Sequence, residues 1–122
     1  MATDITLRRV LAGPVDSAPT ALAHTDWLYD TPPSALRQLY REYGLLFDQA
    51  LAAAIGVLGE PASLLPSETT GSPVWYPEAI RFASWSRGED TFYVALVHHD
   101  WESPIMIEAG LVSHGAIAER SQ

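Results

Sequence analysis

From residue 36 to residue 58 the apolar positions recur at intervals of three and four. They are Leu36, Leu39, Tyr40, Tyr43, Leu46, Phe47, Ala50, Leu51, Ala54, Ile55 and Leu58. This period lays an apolar stripe along one side of an α-helix for more than six turns without a phase slip. The preceding Thr31-Pro32-Pro33-Ser34 is a start signal: Thr31 or Ser34 can cap, and proline in a first turn loses only an amide that has no helical partner. Gly44 inside the stripe costs about 1 kcal/mol relative to alanine, yet the unbroken phase predicts one helix with a soft point. Gly59 followed by Pro61 predicts its end.

Downstream the period changes from about 3.6 to 2, the signature of strands. Residues Ile80–Ser86, Thr91–His98 and Ile105–Val112 read as a three-stranded meander. The turn Arg87-Gly88-Glu89-Asp90 joins the first two strands, glycine supplying the positive φ of a tight hairpin. On the second strand Phe92, Val94, Leu96 and His98 point one way and Tyr93, Ala95, Val97 and His99 the other. One sheet face must bury against the helix, so the chain is predicted to be a single α+β domain: a long amphipathic helix on a sheet of three or more antiparallel strands, a two-layer sandwich. The expected contact sets Leu39, Phe47, Leu51 and Ile55 of the helix against strands bearing Phe82, Val94, Leu96 and Ile107.

The remaining segments carry weaker patterns. Ile5–Leu11 fits a short strand or a helical turn, Asp16–Thr25 reads as a loop, and Trp27-Leu28-Tyr29 forms an aromatic knot before the helix. Residues 62–77, with Pro66, Gly71, Pro73 and Pro77, read as a long loop of the kind that is often functional. Residues 113–122 read as a tail or a short helix.

Composition narrows the function classes. The 122 residues contain 7 basic and 15 acidic side chains, a net charge of −8. Nucleic-acid binding ordinarily needs a basic patch to neutralise phosphates, so this charge argues against it. The absence of cysteine removes disulfides, thiolate nucleophiles and sulfur-ligated metals. Lysine and asparagine are absent too, while alanine is abundant, which points to a GC-rich bacterial genome. No apolar run is long enough for a membrane span. Arg8 and Arg9 are followed by Gly13, Pro14 and Asp16 and not by a signal-peptide core, so the expectation is a cytoplasmic protein beginning at Met1.

One stretch, His98-His99-Asp100-Trp101-Glu102, concentrates imidazoles and carboxylates that could bind a metal or do acid–base work. Geometry opposes this unless the strand ends there, because adjacent histidines on a strand face opposite sides of the sheet, and the spacing matches no zinc pattern. The competing reading is a strand end with one inward, hydrogen-bonded histidine and one outward. No serine sits in a glycine-flanked elbow, and the glycines build no phosphate cradle. The expectation is therefore no catalysis, no cofactor and no metal.

The acidic residues are more suggestive in their distribution. Glu89 and Asp90 share one turn, Asp100 and Glu102 the next, with Trp85 and Trp101 as neighbours, and Glu78 is expected to approach the second turn. Acid beside an exposed tryptophan suits a basic protein partner, the ring anchoring and the charges steering encounter. The competing reading is a solvated rim over a packed tryptophan.

An N-terminal segment ending in Trp27, a helix closing on Leu58-Gly59-Glu60-Pro61, then Trp85-Ser86-Arg87-Gly88 and His99-Asp100-Trp101-Glu102-Ser103-Pro104 form a layout. It resembles that of small acidic immunity proteins of bacterial polymorphic-toxin systems. The resemblance spans Trp27–Val112 and implies an α+β fold, cytoplasmic residence, no catalysis and a cognate toxin as partner. An alternative class is a small acidic dimeric secretion chaperone that binds an effector segment, which two helices flanking the sheet would favour. A small enzyme using His98 or His99 is the third reading.

Overall fold

A computed structural model describes residues 2–16, 18–65, 79–100, 102–113 and 115. In chain order these form α1 (Ala2–Ala12), β1 (Thr20–His24), α2 (Pro33–Leu58), β2 (Ser63–Leu65), β3 (Ala79–Arg87), β4 (Asp90–His98) and β5 (Ile105–Ser113). The five strands make one antiparallel sheet in the order β1-β5-β4-β3-β2. The fold is the predicted α+β arrangement, one long helix packed on an antiparallel sheet. Among the described residues no helix is long and apolar enough to cross a membrane.

Helix α2 runs unbroken for 26 residues, through Gly44. At about 1.5 Å per residue it is roughly 39 Å long, enough to carry the chain across the sheet from edge strand β1 to edge strand β2. Its start differs from expectation: neither Thr31 nor Ser34 caps it. Pro32 is the N-cap with extended backbone and no side-chain cap bond, and its carbonyl accepts the first helical bond from Leu36 N–H at 3.0 Å. A proline at N1 (Pro33) has no amide to satisfy, which lowers the need for a capping side chain. At the other end Gly59 turns out of the helix with φ +84° and donates its N–H to Ile55 O at 2.7 Å.

The core between the layers joins Leu36, Phe47, Ala50 and Ala54 of α2 to Ala83, Trp85, Phe92, Val94, Leu96, Ile107 and Ala109 of the sheet. Leu39, Leu51 and Ile55 pack against it only partly buried. Phe82 corrects the expected contact set. It pairs with Ala95 and stacks on Tyr93 (5.7 Å between ring centres) on the face away from α2. Phe82 and Trp85 are three residues apart, so a strand cannot turn both to one side. Trp85 takes the helix side, where its indole N–H donates to Gly59 O at 2.9 Å and ties β3 to the end of α2. The opposite face carries its own apolar cluster of Ala79, Phe82, Tyr93, Ala95, Val97 and Val112. Strand β4, apolar on both sides, is accordingly the central strand.

Of three further segments, the first extends one of the two readings the sequence left open and the other two depart from it. Residues 2–12 are helical, and α1 contributes Leu7 to the main core. Residues 20–24, expected in a loop, pair with β5 around a bulge between Ala21 and Ala23. Residues 63–65 of the expected long loop pair with β3, while 66–77 and nearly all of the 113–122 tail lie outside the described residues.

Candidate functional site

The two acidic turns sit at opposite ends of β4 and have different constructions. At the first, Arg87 pairs with Asp90 and the two-residue link Gly88-Glu89 closes the hairpin, with Gly88 at φ +62°. Glu89 is exposed, but the neighbouring Trp85 is only 3% exposed and packs on Phe92. Trp85 is therefore a core residue and not an anchor, and this turn presents charge without an aromatic.

The second turn is braced from within. Oδ1 of Asp100 accepts the backbone N–H groups of Glu102 and Ser103, both at 2.9 Å. Oγ of Ser103 accepts Asp100 N–H at 2.9 Å and donates to Asp100 O at 3.0 Å. The Glu102 and Ser103 amides hold the Asp100 carboxyl below its usual range, with a smaller contribution from His98 and His99. Asp100 is thus a turn-building residue that stays ionised, and Glu102 is exposed beside it. The two other predicted contact residues, Trp101 and Glu78, lie outside the described residues.

What the fold brings to this turn is the segment between β1 and α2. Thr25 N–H donates to Ile105 O at 2.9 Å, and Leu28 N–H donates to Glu102 O at 2.8 Å. Thr25 Oγ1 accepts Ile105 N–H at 3.1 Å. Leu28 is buried, so its neighbours Trp27 and Tyr29 are turned outward, 60% and 62% exposed. Their rings stack nearly parallel, 5.9 Å between centres and 10° between planes. Asp26 and Asp30 flank the pair and are exposed; Asp30 takes a left-handed backbone (φ +55°) as the chain turns into α2. Asp26 is close enough for its charge to help raise the hydroxyl pKa of Tyr43, after burial and after Glu42. One end of the molecule therefore carries two large exposed rings among four carboxylates: Asp26, Asp30, Asp100 and Glu102.

Rings fixed in a stack lose little side-chain freedom when covered, and their exposed area is large. Sequence reasoning placed the aromatic anchor at Trp101 and treated Trp27 and Tyr29 as a knot. The usable signal was Asp26-Trp27-Leu28-Tyr29-Asp30, an alternation in which one apolar residue goes in and both aromatics go out.

β4 ends at His98, so strand alternation does not hold His99 to the opposite face. His98 faces α2, where Nδ1 and the Tyr40 hydroxyl lie 2.6 Å apart and the rings meet edge to face. Nε2 of His98 is buried without a hydrogen-bond partner among the described residues, whichever tautomer the ring adopts. Burial raises the Tyr40 pKa, keeping its hydroxyl protonated. His99 is exposed. Tyr40, His98, His99 and Asp100 line a shallow cavity of about 270 Å³. Among the described residues no three His, Asp or Glu side chains are grouped as a metal site.

No protein-family model, no curated protein and no solved structure matches this chain.

Proposed function

We propose that this protein is a non-catalytic binding protein that masks a basic protein partner, the role of an immunity protein that neutralises a toxin in the bacterial cytoplasm. The observation that carries the reading is the stacked, exposed Trp27–Tyr29 pair, held beside Glu102 by the Leu28 N–H bond. Large aromatics dominate the energy of protein interfaces, and surrounding charge mainly accelerates encounter. The net charge of −8 has the sign that attracts a basic partner.

The test is capture from the native host, followed by binding kinetics across a salt series. Wild-type protein should retain one folded basic protein. Trp27→Ala and Tyr29→Ala should speed its dissociation, each costing about 2 kcal/mol or more, as for interface hot spots. Glu102→Gln with Asp30→Asn should slow association and flatten its salt dependence. Capture of an extended secretion substrate would support the chaperone reading instead. Unchanged rates in all variants would remove this surface from the interface.

A further inference from the structure

The α1–β1 junction contains a second feature, away from the aromatic pair. Helix α1 lies over the β1–β5 edge of the sheet, and its last turns do not close on the strands. They leave a partly enclosed cavity of about 260 Å³. Its walls are apolar and small: Val10 from α1, Pro14 and Ala18 from the connecting loop, Ala109 and Leu111 from β5. The loop is held open over this space by β5. Asp16 donates its N–H to Leu111 O at 2.8 Å, and its Oδ1 accepts Ser113 N–H at 2.8 Å. To reach both, Asp16 adopts a left-handed backbone with φ +61°, a conformation that costs energy for a residue other than glycine.

Three polar residues complete the lining: Thr6 and Arg9 from α1 and Thr20 from β1. Arg9 belongs to the last turn of α1, and no described residue forms a salt bridge or hydrogen bond with its side chain. Thr20, at the start of β1, carries a hydroxyl that no described residue engages. A guanidinium with no partner among the described residues, beside a small apolar cleft, suits a molecule with an apolar body and one acidic group, since guanidinium is a strong two-pronged donor to carboxylate. Apolar walls with a few polar groups that fix orientation are the usual make-up of small-molecule sites. The volume lies just below the roughly 300 Å³ at which drug-sized pockets begin, which limits the occupant to a compact metabolite.

We propose that the cavity between α1 and the β1–β5 edge binds a small apolar carboxylate, with Arg9 taking the carboxylate and Val10, Ala18, Ala109 and Leu111 enclosing the apolar body. The rival explanation for Arg9 is that it only complements the negative end of the α1 dipole. Benzoate and its neutral isostere benzamide separate the two as probes. In two-dimensional NMR titrations of the full chain, benzoate should bind saturably, moving the amide signals of Val10, Thr20 and Leu111. Benzamide should bind at least tenfold more weakly. Arg9→Gln, an exposed substitution, should reduce benzoate to the level of benzamide, and Ala18→Leu should block both probes. Absence of saturable benzoate binding would overturn the proposal. So would equal affinities for the two probes, unchanged benzoate affinity in Arg9→Gln, or signal changes confined to other parts of the sheet.

Discussion

Gly110 should be irreplaceable by alanine for a reason that lies on the neighbouring strand. It pairs with Tyr93 across β4 and β5, and a methyl group at Gly110 would stand 2.7 Å from Cε1, Cζ and Oη of that ring. The backbone is no obstacle, because Gly110 is not one of the glycines with positive φ; the cost is steric. Tyr93 cannot swing away, being 1% exposed and stacked on Phe82 at 5.7 Å. Overpacking a filled core costs typically about 1–3 kcal/mol, and displacing one ring of a stacked pair forfeits a further ~0.5–1.5 kcal/mol. Gly110→Ala should therefore lower unfolding free energy by about 2–4 kcal/mol, measured by urea denaturation with a common slope. In a Tyr93→Leu background the same substitution should be neutral or slightly stabilising, because alanine restricts the unfolded chain by ~0.4–1 kcal/mol relative to glycine. A loss under about 0.5 kcal/mol in the wild-type background, the range of ordinary surface changes, would refute the argument. An equal loss in both backgrounds would refute it as well.

Other predictions concern the far end of β4. Tyr40→Phe removes the 2.6 Å partner of His98 Nδ1, leaving a second ring nitrogen unsatisfied. It should cost about 1–3 kcal/mol by chemical denaturation, whereas a freely solvated hydroxyl would cost almost nothing. The Asp100 carboxyl has a folded pKa below its ordinary 3.8, so its contribution is present above that value and is lost as pH falls through the lower folded one. Amide exchange at Glu102 and Ser103 should accelerate as pH drops below about 4 beyond the intrinsic rate, and in Asp100→Asn at neutral pH; protection that ignores both changes would show that the carboxylate does not hold the turn.

Helix α2 and the β3–β4 hairpin were legible in the chain because their determinants are local. A period of three and four residues, a proline-rich start, Gly59 at the stop and Gly88 in the turn act within a few positions of themselves. The alternation on β4 likewise separated Val94 from Tyr93 without reference to any other segment. Strands β1 and β2 carried no such signal. Thr20–His24 is small and mixed, Ser63–Leu65 is three residues long, and each is a strand only because a neighbour offers its unpaired backbone groups. Which of Phe82 and Trp85 faced the helix was also a tertiary choice, made where the indole N–H could reach Gly59 O. The candidate surface divides the same way. Its acidic turn was readable from Asp100 and Glu102, but its exposed rings come from a segment more than seventy residues earlier. Side-chain type and spacing set what each segment can do alone, whereas burying Leu28 and bonding its N–H to Glu102 O needs the assembled sheet, and that assembly turned Trp27 and Tyr29 outward beside the acids.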